Sequence, residues 1–209
     1  MILYVTKKTK ERLNIPMIDE LSDISKNYAS IVLNNEENTE LLKWGIKIFY
    51  MDRRKCLQAV NFASKLTIYL FNIHNDNIEY IGDAIANYMY HIYDNDEKMT
   101  NLLDRLFDEH PLCVFSNLTD KATISTLNYN ERCYVETYRF YDYIENNTLK
   151  TIEINKDVNF DNLLTVKING KREYIVPGEY FKELLTNYYK GSWSKWMKIK
   201  LISIAIRGF

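Results

Sequence analysis

Residues 41–73 read LLKWGIKIFYMDRRKCLQAVNFASKLTIYLFNI, and this run decides the fold class. Three segments rich in Ile, Phe, Tyr, Val and Thr are separated by turn-like clusters at Met51 to Arg53 and at Asn61 to Ser64, the pattern of an antiparallel meander. In the third segment Leu66, Ile68 and Leu70 alternate with Thr67, Tyr69 and Phe71, which makes one face apolar and the other aromatic. A strand apolar on both sides is expected in the centre of its sheet.

Working outward, the flanks read mainly as helices. Ile2 to Thr6 is a short strand, and Lys7 to Leu13 is a helix of one or two turns ended by Asn14 and Pro16. Met17 to Asn38 is helical around Leu21, Ile24, Tyr28, Ile31 and Val32, then dissolves into a polar loop from Asn34. Beyond the meander, Ile78, Ile81, Ile85, Met89 and Ile92 recur at helical spacing. Met99, Leu102, Leu103, Leu106 and Phe107 mark a second helix that stops before His110-Pro111, and Leu112 to Ser116 follows as a buried strand. From Lys121 to Ile144 the periodicity is again near-helical, ending at Asn146-Asn147.

The C-terminal part has its own punctuation. Leu149 to Asn155 and Leu163 to Ile168 read as strands, and Asn169-Gly170 is a two-residue hairpin turn into Lys171 to Val176. Pro177 opens a helix over Gly178 to Tyr189, stopped by Gly191. Trp193 to Ile206 fits a basic amphipathic helix and a strand equally well. The expected fold is α+β: an antiparallel sheet packed by helices, with a C-terminal hairpin, helix and basic tail. Residues 1–147 form the expected core, and residues 148–209 the hairpin, helix and tail packed on it.

With 209 residues, 46% of them hydrophobic and 26% charged, the chain is long enough to bury a sizeable core and too apolar for disorder. No run of about 18 apolar residues occurs, and the order at the start, a strand followed by Lys7, Lys8, Lys10 and Arg12, is wrong for a signal peptide. Cys56, Cys113 and Cys133 are odd in number and widely spaced, which suits a reducing cytoplasm. The 17 tyrosines are accounted for by an AT-rich codon bias and by ordinary core packing.

Catalytic and cofactor signatures are not found. His74, His91 and His110 each lack a metal-ligating partner at helical spacing, and no two glycines have nucleotide-loop spacing. Asp94-Asn95-Asp96-Glu97 opens like a calcium loop but lacks its glycine and its distal glutamate. No catalytic residue, metal site or cofactor is therefore expected.

Charge is more informative. The net charge is −1, yet Lys190, Lys195, Lys198, Lys200 and Arg207 close the chain with no acidic residue among them; setting those five charges aside leaves the body at −6. Arg53, Arg54 and Lys55 place three adjacent cations around one hairpin tip, suited to phosphate. Trp193 and Trp196 interleaved with Lys195, Lys198 and Lys200 suit single-stranded nucleic acid, a membrane interface, or docking on the acidic body.

Several of these residues carry a resemblance. Val5-Thr6-Lys7-Lys8 through Leu13, Trp44, Asp52 to Leu57, Val60-Asn61 and Thr67, with a weaker match from Thr123 to Asn128, resemble a bacterial family known as domain of unknown function 6933. The similarity spans roughly residues 1–145, and the region beyond Asn146 reads as an addition. The family has no established activity, so the resemblance lends no catalytic residue; it implies a compact intracellular domain found among mobile-element and accessory genes.

The resulting expectation is a non-enzymatic binding protein from a phage or other mobile element. It would inhibit a host protein or protein–nucleic-acid complex, as anti-CRISPR and other counter-defence proteins do, and contact RNA or DNA phosphates through Arg53, Arg54, Lys55, Trp193, Lys195, Trp196, Lys198, Lys200 and Arg207. The alternatives are a metal-independent nuclease acting on RNA and a structural or toxin–antitoxin-like partner.

Overall fold

A five-stranded sheet in the order β4-β3-β2-β1-β5 organises the protein, seen here in a computed structural model that describes residues 1–168 and 170–190. Its strands are β1 (Ile2–Val5), β2 (Lys43–Met51), β3 (Arg54–Asn61), β4 (Thr67–Leu70) and β5 (Val114–Asn117). The meander β2-β3-β4 is antiparallel as its turn spacing predicts. β1, however, runs parallel to both β2 and β5, so the sheet is mixed rather than antiparallel. The reason lies in the connections: parallel neighbours need long crossovers. Helices α1 (Lys7–Leu13) and α2 (Asp23–Glu36) supply one; α3 (Ile81–Ile92) and α4 (Glu97–Glu109), after the meander, lead into β5.

Local chemistry sets the helix ends. The Thr6 hydroxyl accepts a hydrogen bond from the Thr9 amide to start α1, and Asn14, left-handed at φ 54°, ends it. Thr9 is fully buried, and its hydroxyl accepts the Ile48 amide at 2.9 Å where β2 runs on past β1. Asp96 and Asp120 cap α4 and α5 (Lys121–Asn130) in the same way. A π-helical turn, Glu131–Val135, continues α5. β2 must carry Gly45 beneath α5, because a Cβ there would lie 2.4 Å from the Thr123 methyl.

The chain beyond Tyr143 departs most from expectation. Ile144–Glu145 and Thr148–Leu149 form a minimal hairpin, β6 and β7, turned by Asn146 and Asn147 with φ of 49° and 60°. Leu149 to Asn155 is not a strand: α6 spans Thr151–Phe160. Its β-branched Thr151, Ile152 and Ile154 favour strand locally, but the buried set is Ile154, Asn155, Val158 and Asn159, which is helical spacing. The hairpin β8 (Leu164–Ile168) and β9 (Lys171–Ile175) follows as expected, with Gly170 at φ 83°, and then helix α7, residues 177–190.

α6 also explains why β4 is buried on both faces although it lies at the edge of the sheet and not in its centre. The Asn155 side chain accepts the Tyr69 amide at 2.7 Å and donates to the Tyr69 carbonyl at 3.0 Å. Asn159, one helical turn on, accepts the Thr67 amide at 2.8 Å and donates to the Thr67 carbonyl at 2.6 Å. Two fully buried amides thus stand where a further strand would pair.

Alternation across the sheet divides the core. Ile46, Ile48, Leu57, Ile68 and Leu70 pack with α3, α4 and α7 through residues such as Ile85, Leu103 and Phe181. Phe49, Cys56 and Tyr69 pack on the other side with Tyr134, Phe140, Ile154 and Val158. Here the aromatic content is spent on edge-to-face contacts, among them Tyr69 with Phe140 at 4.8 Å and Phe49 with Tyr69 at 5.8 Å.

Asn155→Ala and Asn159→Ala should each lower stability by about 2–4 kcal/mol, since each strands one buried amide and one buried carbonyl. Urea unfolding checks this; losses no larger than those of an exposed Asn→Ala change would show that the edge does not depend on these side chains.

Candidate functional site

The β2–β3 tip is a two-residue loop, Asp52-Arg53, closed by pairing of Met51 with Arg54. Both loop residues have positive φ, 49° and 64°, as the twist of such a loop requires, yet neither is the glycine that adopts this conformation without strain. The Asp52 carboxylate accepts the Tyr141 hydroxyl at 2.6 Å, which anchors the loop to the segment after α5 and raises the Tyr141 phenol above its ordinary value.

The three cations of the tip are not equivalent. Arg53 and Arg54 are exposed, and neither guanidinium forms a hydrogen bond or ion pair among the described residues. Lys55 is half-buried and turns back along the sheet, where its ammonium donates to the Arg12 carbonyl at 3.2 Å and to the Asn75 side chain at 2.7 Å. That contact brings the exposed C-terminal end of α1, with Arg12, beside the base of the tip. The structure therefore presents Arg53 and Arg54 outward and holds Lys55 as their support. Trp193, Lys195, Trp196, Lys198, Lys200 and Arg207 lie outside the described residues.

The histidines are scattered. His74 is exposed before the short 3₁₀ helix Asn75–Tyr80, His91 lies on α3, and His110 caps α4. His110 has a partner that spacing does not reveal: its Nδ1 lies 3.0 Å from Glu36, a carboxylate almost wholly buried at the end of α2, which is also ion-paired with the Met1 amine. Burial pushes the Glu36 carboxyl up, but His110 and the amine more than offset this and hold it below its ordinary value. Among the described residues, no three His, Cys, Asp or Glu side chains are grouped to hold a metal ion, and no helix is long and apolar enough to cross a membrane.

A second feature has no counterpart in the sequence reading. A cavity of about 650 Å³ opens between the segment Asn14 to Ile18, α2, the Asn75–Tyr80 turn and β5. α2 faces inward through Ala29, Val32 and Glu36, so Ile24, Tyr28 and Ile31 stand exposed by 72%, 58% and 54%. The apolar spacing around Leu21, Ile24, Tyr28, Ile31 and Val32 locates the helix but not its buried face. A small alanine and a partnered glutamate can be buried, and the stripe rule overlooks both.

With this geometry in hand, comparison with protein families gives one result. The family described as Domain of unknown function (DUF6933) matches residues 2–180, and the chain belongs to it. The match runs through α6 and the β8–β9 hairpin into α7, so residues 147–180 are part of the family's domain and not an addition. No curated protein matches the chain.

The Glu36 contacts predict a pH dependence. A carboxyl held below its ordinary value stabilises the fold above the unfolded-state value of 4.5 and loses that contribution as pH falls through the folded value. Glu36→Gln should be less stable than wild type at pH 7, with the gap closing below pH 4.5. Urea midpoints from pH 7 to pH 3 measure this, and a constant gap would contradict it.

Proposed function

We propose that this protein is a non-enzymatic binding protein that docks its Arg53-Arg54 tip on an anionic surface of a partner assembly. The partner class is a host protein–nucleic-acid machine, which the protein inhibits as a counter-defence factor of a phage or other mobile element. One observation carries the reading: Arg53 stands at φ 64°, exposed and with its guanidinium unpaired among the described residues, on a loop whose neighbours Asp52 and Lys55 are both anchored. Left-handed backbone costs a non-glycine residue of the order of 1–3 kcal/mol, and such strain concentrates where a side chain has work to do. Two adjacent guanidinium groups provide planar, permanently charged forks that match phosphate.

The rival reading, a metal-independent nuclease, needs a histidine or other base beside the cations. His110 is engaged by Glu36, while His74 and His91 lie on separate elements, and this favours binding over cleavage.

Arg53→Gly should raise stability by roughly 1 kcal/mol by relieving the left-handed strain. Combined with Arg54→Glu, it should weaken partner capture about tenfold through loss of two phosphate contacts. The experiment is capture from the native host, read by mass spectrometry and nucleic-acid content, beside incubation of pure protein with labelled RNA and DNA with and without chelator. Capture indifferent to the double change, or cleavage of either polymer, would replace this reading.

A further inference from the structure

The cavity beside α2 is a groove whose walls and rim have different characters. Ile18, Leu21, Tyr28, Val32, Ile78 and Phe115 line it, and Ile24, Ile31 and Tyr80 continue the apolar surface outside. Its charged lining is acidic only: Asp76 and Glu79 contribute, and no lysine or arginine does among the described residues. Leu112, 46% exposed, forms the lip at one end. An open apolar surface of this kind marks a place where another segment packs.

What packs there must be apolar, carry positive charge and arrive near Leu112. Residues 191–209 meet all three conditions. They include Trp193, Trp196, Ile199, Leu201, Ile204 and Ile206, with Lys195, Lys198, Lys200 and Arg207 and no Asp or Glu. They leave the described chain at the right place. Near the end of α7, the Tyr189 hydroxyl donates to Glu109 at 3.1 Å and its ring lies 4.1 Å below the Arg105 guanidinium. Glu109 ends α4, three residues before Leu112, and His110 between them clasps Glu36, at the end of the helix whose Val32 lines the groove.

Reach is ample. At about 3.3 Å per extended residue the segment spans on the order of 60 Å, more than the roughly 40 Å breadth of a domain of this size. A tethered segment also meets its own groove at an effective concentration near the millimolar range, which favours the same chain over a second copy.

We propose that residues 191–209 of this chain seat their apolar side chains in the groove between α2 and β5, with their lysines against Asp76 and Glu79. The proposal is independent of the Arg53-Arg54 reading: neither arginine lines the groove, although Asn75, which accepts the Lys55 ammonium, does. It gives the tail cations an intramolecular partner, so an external anion reaches them only by displacing the segment. Release of the segment would then uncover Ile24, Tyr28 and Ile31 together with the lysines.

Zero-length carbodiimide coupling of the full chain, followed by isolation of the monomer and peptide mass spectrometry, tests this. The expected links join Lys195, Lys198 or Lys200 to Asp76 or Glu79 within one molecule. A full-length Tyr28→Glu/Ile31→Glu variant changes only exposed positions, so its melting temperature should stay near wild type while those links fall at least about tenfold. The Cys113 thiol, which lines the groove, should react faster in that variant. Links confined to the dimer fraction would assign the groove to a second copy, and links to Glu179 or Glu183 would place the segment beside α7. Either result, or the absence of links, overturns the proposal.

Discussion

A β-strand buried at the margin of a sheet needs partners for every second amide and carbonyl along its free side, or each orphaned group costs on the order of 1–3 kcal/mol. In this protein Asn155 and Asn159 meet that need at Thr67 and Tyr69. Their spacing of one helical turn on α6 matches the two-residue repeat of β4, about 6 Å against about 7 Å. Because the helix stands in for a strand, both faces of β4 can be covered: Ile68 and Leu70 on one side, Tyr69 among Tyr134 and Phe140 on the other.

The remaining architecture follows from that closure. With β4 held, the meander is stiff enough to carry the Asp52-Arg53 loop, whose other support is the Tyr141 hydroxyl delivered by the chain after the π turn. On the far side of the sheet, β1 between two parallel neighbours places β5 outermost. α2 lies against this margin with only part of its surface used, and that leaves the open groove. Tip and groove thus share one scaffold and meet at Asn75, which accepts the Lys55 ammonium and lines the groove; one is cationic and small, the other apolar and acid-rimmed.

Legibility in the sequence tracks the distance over which each feature is decided. The Met51 to Arg53 turn, the β8–β9 hairpin with Gly170, the Asn14 stop and the Pro177 start rest on neighbouring residues, and all were readable. The place of β4 was not, because its burial depends on Asn155, 86 residues from Tyr69. α6 itself was hidden by the β-branched Thr151, Ile152 and Ile154, whose local preference is overridden by docking on β4. The inward face of α2 was not legible, since a buried Glu36 makes sense only with His110, 74 residues away. At the tip, the exposure of Arg53 was foreseeable from the turn, whereas the inward course of Lys55 depends on the Arg12 carbonyl.

Replacing a strand by two side-chain amides has one more effect, on self-association. Asparagine side chains present no new row of backbone donors and acceptors, so nothing can be added beyond β4. Among the described residues β5 has no strand on its outer side, leaving the five-stranded ladder with a single open margin. Two such five-stranded sheets joined at β5 would make a closed pair, so this sheet by itself does not propagate a continuous fibril by strand addition.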